Sequence, residues 1–195
     1  MGLRSFLFKK RSYTPVPIVI AVIYYSEPYK PFWVYGTFLI LLGEVIRFKA
    51  VQHAGGRTRT TNVGARALCT SGPYSRTRNP LYIGNLFIYS GMVLLAGGMY
   101  MVELLIFVVV YFIFQYSMII SLEEEKLSTL FGTNYLLYKN NVPRLLPLIR
   151  PWDSELKISP ASISKTFRTE KRTLQNIFLL IIIIVSKPYI KEFIF

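Results

Sequence analysis

The apolar residues of this chain come in blocks, and that clumping limits what it can fold into more than any other feature. Leu81 to Tyr100 carries no charge, and neither does Leu174 to Val185 with its run LLIIII. Phe32 to Ile46 carries only Glu44, and Tyr100 to Leu122 only Glu103. Soluble helices and strands break their apolar residues with a 3.6- or 2.0-residue period, whereas runs approaching 20 apolar residues read as membrane spans. The charged share is 17%, against an apolar share of 52%, which is low for a soluble domain. The expected fold is therefore all-α, a polytopic membrane helix bundle of about five transmembrane helices. They are placed at roughly 14–27, 31–48, 80–97, 99–120 and 173–187. The first is short and holds Pro15 and Pro17, as a tilted or interfacial segment would. No small-x-small site follows its core, where Tyr24, Tyr25, Ser26 and Glu27 stand, so it reads as a retained span and not a cleaved signal. Gly2 after the initial Met is a weak match to a myristoylation site.

Charge then orients the bundle. With those spans, 20 of the 23 Lys and Arg residues fall on one side. They comprise Arg4, Lys9, Lys10 and Arg11 at the start, a second group from Arg47 to Arg78 that includes Arg57, Arg59 and Arg66, and nine more between Ser121 and Arg172. Lys30, Lys187 and Lys191 are left on the other side. The positive-inside rule makes the rich side cytoplasmic, placing the N-terminus there and the C-terminus opposite. The net charge of +13 is thus a matter of topology and anionic lipid. It does not point to nucleic acid, because the aromatics belong mostly to the spans. The single cysteine, Cys69, excludes an internal disulfide. The single histidine, His53, has no second ligand at metal spacing, so no metal is expected; it reads as a polar loop residue or a minor cofactor contact. One membrane domain is expected, with two N-terminal spans in 1–48, a core in 49–150, and a polar segment plus last span in 151–195.

Two cytoplasmic segments carry more than topology requires. In GPYSRTRNPLYIGN, Gly72-Pro73 is a turn signal, and Asn79-Pro80 reads as N-cap and first residue of a helix. A helix N-terminus beside Arg76 and Arg78 suits an anion. Tyr74 and Tyr82 add hydroxyls and aromatic faces, and Gly84 permits close approach of a backbone or ligand. The second segment begins SLEEEK. Nothing breaks the fourth helix before Gly132, so it extends past the membrane and carries Glu123, Glu124 and Glu125 at its exit, about 100° apart around the axis. Tyr135 and Tyr138 share a helical face, and Pro143 and Pro147 end the element. An anion site, acids and aromatic faces on one membrane surface suit a zwitterionic ligand with a second positive centre.

Taken in order, TSGPYSRTRNPLYIGN and EEEKLSTLFGTNYLLYKNNVPRLLP resemble the membrane methyltransferase family that includes isoprenylcysteine carboxyl methyltransferases and phospholipid N-methyltransferases. The matching positions are Gly72 and Tyr74, Arg78-Asn79-Pro80, Tyr82 and Gly84, Glu123-Glu124, Phe131-Gly132, Tyr135 and Tyr138, and Val142-Pro143. The resemblance implies S-adenosylmethionine as methyl donor, held by Gly72, Tyr74, Arg78, Asn79, Pro80, Tyr82, Gly84, Glu123, Glu124, Tyr135 and Tyr138, with Arg78, Glu123 and Glu124 nearest the chemistry. It also implies a lipid or lipidated acceptor entering from the bilayer. The family's usual histidine is Asn79 here; Asn hydrogen-bonds but takes up no proton near neutrality, so that position is expected to bind or cap. A prenylcysteine carboxylate acceptor needs an arginine to orient it, whereas a lipid amine needs a glutamate as base. Two other readings stay open: an NADPH-dependent membrane reductase of related fold, and a non-enzymatic membrane scaffold.

Overall fold

The computed structural model describes residues 2–55, 64, 67–156 and 158–194, with side chains as far as residue 189. Arg57, Arg59 and Arg66 of the basic loop, and Lys157, lie outside the described residues. Among the described residues the fold is helical: α1 (Leu3–Lys10), α2 (Val16–Tyr24), α3 (Lys30–Ala54), a 3₁₀ turn (Gly72–Ser75), α4 (Pro80–Ala96), α5 (Met101–Asn141) and α6 (Ile163–Ile194).

The segment expected as one first span is instead two short helices. Pro15 and Pro17 cannot continue α1, so the chain turns and restarts as α2. The pair still runs antiparallel along α5. Arg4 pairs with Glu125, the Tyr111 hydroxyl and Gln115 amide donate to Thr14 at 3.1 and 2.7 Å, and the Tyr25 ring meets Tyr100 at 5.1 Å. Nine residues of α2 cover about 14 Å, so α1 is needed to span the rest of α5's apolar length.

Helices α3 and α4 pack closely because both carry glycines seven residues apart. A Cβ at Gly43 would lie 2.6 Å from the Gly84 carbonyl, and one at Gly91 2.7 Å from the Gly36 carbonyl. Small residues let backbones approach where apolar surroundings give no hydrophobic drive between helices. Gly84, read from sequence as open to a backbone or a ligand, thus serves a backbone. Helix α3 also runs to Ala54, beyond the expected end near residue 48, so His53 is helical and not in a loop.

Helix α5 has 41 residues, with non-helical Gly132 (φ 50°, ψ −122°) inside it. The expected stop at Gly132 is therefore a kink: only glycine adopts these angles cheaply, and the helix resumes to Asn141. Helix α6 starts ten residues before the expected span and packs on α3 through the Phe48–Phe167 contact at 4.8 Å. Phe112, Ile120, Val108, Met92 and Ile184 form the central core. Of the described helices, α5 alone is long and apolar enough to cross a membrane, and only a third of its most apolar stretch is buried; α4 is apolar but has 17 residues. Val34, Phe38 and Leu41 on α3, Ile106 and Phe107 on α5, and Phe178 and Leu179 on α6 are all exposed.

Candidate functional site

The two motif-bearing segments are laced together by main-chain groups. Arg78 N–H donates to the Pro143 carbonyl at 3.0 Å, Leu148 N–H to Arg76 O at 2.8 Å, and Trp152 N–H to Ser75 O at 2.9 Å. Thr77 Oγ1 and Asn79 Nδ2 both donate to the Arg144 carbonyl, at 3.1 and 2.9 Å. Asn79 does precede the helix, but its side chain makes no cap bond, because it is spent on that carbonyl. Arg76 donates to the Leu148 and Ile149 carbonyls, so it braces the loop. Gly72 (φ +59°) turns the chain where a Cβ would strike the His53 ring at 2.4 Å.

The three acids point three ways, as consecutive helical residues must. Glu125 is exposed and pairs with Arg4 on α1. Glu124 is buried and binds two guanidinium groups, Arg78 Nη2 at 2.8 Å and Arg144 Nη2 at 2.5 Å. Glu123 accepts a hydrogen bond from the Tyr82 hydroxyl at 3.0 Å. Arg78 gives two more N–H bonds to the Lys139 and Val142 carbonyls, at 2.9 and 2.5 Å. With its two to Glu124, this uses four of the five donors a guanidinium has. Arg78 is thus mainly a clamp joining the turn before α4 to the end of α5. Beside it, buried Tyr138 donates to the Tyr74 carbonyl at 2.7 Å and meets Tyr135 at 6.2 Å between ring centres.

These groups surround one cavity of about 1220 Å³, larger than the roughly 300–1,000 Å³ of a single small-ligand site. Tyr74, Arg78, Asn79, Tyr82, Glu123, Glu124, Tyr135 and Tyr138 line it; Gly72, Pro80 and Gly84 do not. From the polar end it reaches Ile88 and Met92 of α4 and Ile177 and Leu180 of α6. Sequence reasoning missed two arginines on its wall. Arg11 lies in the α1–α2 turn, its guanidinium 4.1 Å from the centre of the Phe8 ring. Arg47, buried on α3, bonds to Asn85 on α4 and to fully buried Glu170 on α6 at 2.6 Å. The available signal was a charge inside an apolar run, which is costly unless paired, although its partner on α6 is 123 residues away.

The electrostatics separate the two neighbouring acids. Burial alone would raise the Glu124 pKa, but hydrogen bonds and charges from Arg144 and Arg78 outweigh it and hold the group below 4.5. Glu123, beyond the apolar stretch of α5, is raised by burial to about 7, despite the Tyr82 hydrogen bond and the Arg11 charge. Burial likewise raises Tyr74 and Tyr138, keeping both phenols protonated. Burial and Lys49 lower His53, so that its imidazole is neutral at pH 7. A carboxylate poised near neutrality and set among aromatic faces can bind a cation or exchange a proton.

The sequence profile of the phospholipid methyltransferase family matches residues 32–134, just over half of the chain. A protein-S-isoprenylcysteine O-methyltransferase from Xenopus laevis is 35% identical over 122 residues, which is 60% of this chain and 41% of that protein. The chain therefore matches less than half the length of that relative. No solved structure matches the chain.

Proposed function

Because this chain belongs to the phospholipid methyltransferase family, we propose that it is an integral membrane methyltransferase that uses S-adenosylmethionine and acts on a membrane-embedded acceptor. The observation that carries this reading is the gathering of Glu123, Tyr82, Arg78 and Tyr138 on a cavity that continues into an apolar interior. When bound, S-adenosylmethionine supplies a methyl group on a sulfonium, an electrophile that needs no further activation. The residues present suit it. Glu123 and the faces of Tyr74, Tyr82 and Tyr138 fit a cationic sulfonium and amine. Helix α4's N-terminal turn and the remaining N–H of Arg78 suit its carboxylate. The Arg78–Glu124–Arg144 clamp keeps these walls rigid, and rigid positioning is the main contribution an enzyme can make to an in-line displacement.

The exposed apolar residues on α3, α5 and α6 support a bilayer setting for the helices. The distribution of basic residues supports a cytoplasmic site. The acceptor is a prenylcysteine-like carboxylate or a phospholipid amine. For an amine, Glu123 takes the proton that must leave; for a carboxylate no base is required. Calorimetric titration of the purified protein with S-adenosylhomocysteine and with NADPH tests the reading. Binding of S-adenosylhomocysteine alone is expected. Binding of NADPH alone points to a reductase, and binding of neither to a scaffold; both outcomes overturn the proposal.

A further inference from the structure

Helix α6 lies wholly outside the 32–134 stretch matched by the family, yet it forms one side of the cavity. It is not a loose cover. Glu170, with no exposed surface, is locked to Arg47 on α3. Gln52 exchanges bonds with Ala161 just before the helix, at 2.7 and 3.1 Å, and Thr166 is buried. A charged pair at 2.6 Å inside an apolar bundle is strongly position-specific, because leaving either partner alone there is costly.

The face this lock turns to the cavity changes character along its length. Lys165 and Arg172 come first, Thr173 and Asn176 next, then Ile177 and Leu180. Arg172 and Asn176 are exposed, so they stand at the cavity mouth, whereas Ile177 and Leu180 are partly covered. Across from the apolar end lie Ile88 and Met92 of α4. A cationic mouth grading into an apolar slot matches an amphiphile with an anionic group and a hydrocarbon chain. The donor-side acids and tyrosines come from α4, α5 and the turn before α4, leaving α6 to the second substrate.

We infer that α6 is the acceptor-reading wall of this cavity. Arg172, supported by Lys165, takes the anionic group of a membrane amphiphile, and Ile177 and Leu180 take its chain. The inference rests on the methyltransferase reading above. The anionic group can be a carboxylate or a lipid phosphate, so two probes are used in detergent micelles: N-acetyl-S-farnesylcysteine and lysophosphatidylethanolamine. Their equilibrium binding is measured beside that of S-adenosylhomocysteine, for the wild-type chain and for Arg172→Glu, Arg172→Lys and Leu180→Trp. Expected is a loss of tenfold or more in probe affinity for Arg172→Glu, near-complete retention for Arg172→Lys, and a loss for Leu180→Trp, with S-adenosylhomocysteine affinity unchanged throughout. The probe that responds identifies the source of the anion. Wild-type chain that binds S-adenosylhomocysteine but neither probe overturns the inference and leaves the donor reading standing. So does a parallel loss of S-adenosylhomocysteine affinity in Arg172→Glu, which would assign that residue to the donor. Wild-type chain that binds no S-adenosylhomocysteine overturns the parent reading instead.

Discussion

Replacing Glu124 by Gln removes one charge from the clamp and changes little else in shape. Its side chain is 9% exposed, as is 8% of Arg78, while Arg144 is 42% exposed. The Arg78 contact is therefore a buried, two-point, charge-assisted pair, worth roughly 2–3 kcal/mol. The Arg144 contact is discounted for solvent to under about 1 kcal/mol. Gln keeps one acceptor and recovers about 1 kcal/mol, so the net loss is about 1–3 kcal/mol. For a chain of this size that lowers the midpoint of thermal unfolding by about 2–12 °C. The fold persists, since Arg78 still holds the Lys139 and Val142 carbonyls. Acid should reveal the same group. Its folded pKa is below the unfolded value, so the unfolded chain binds more protons in that window and stability is lost as pH falls through the folded pKa. Glu124→Gln should not show this loss. Melting curves of detergent-solubilised wild type, Glu124→Gln and Arg144→Gln provide the test. A Glu124→Gln midpoint within about 1 °C of wild type, or an Arg144→Gln cost equal to it, would refute the assignment of the strength to the Arg78–Glu124 pair.

Glu123 should behave with the opposite sign. Its folded pKa of about 7 lies above 4.5, so the native chain holds more protons between those values and stability declines as pH rises through them; Glu123→Gln abolishes that slope. If the acceptor is an amine, wild-type turnover rises through pH 7 and Glu123→Gln lowers kcat by about 10²–10⁴-fold. A carboxylate acceptor needs no base, so the effect of Glu123→Gln is then on donor affinity and not on proton transfer. At the α3–α4 crossing, a Cβ on Gly84 meets the Arg47 side chain at 2.6 Å and the Gly43 carbonyl at 2.8 Å. Gly84→Val should therefore cost at least about 1–3 kcal/mol in melting experiments, whereas Gly2→Ala, with nothing within 4 Å, should leave the midpoint in place.

Much of this protein was legible without coordinates, where the signal is local. Apolar run length marked helices, Pro80 marked a start, and the 100° step between neighbouring residues required Glu123, Glu124 and Glu125 to face different partners, whereas the stop expected at Gly132 is a kink within α5. The order of the motifs pointed to the family. Tertiary structure decided what each polar group is spent on, because that depends on partners far along the chain. Arg78 was expected to await an anion, yet Glu124 and two carbonyls at the end of α5 occupy most of its donors. Asn79 was expected to cap α4 and instead holds Arg144. Arg47 looked like one basic loop residue among many until α6 folded back and set Glu170 against it. A helix can be read from the residues within one turn, but the cost of burying a charge depends on which group from elsewhere in the chain comes to rest beside it.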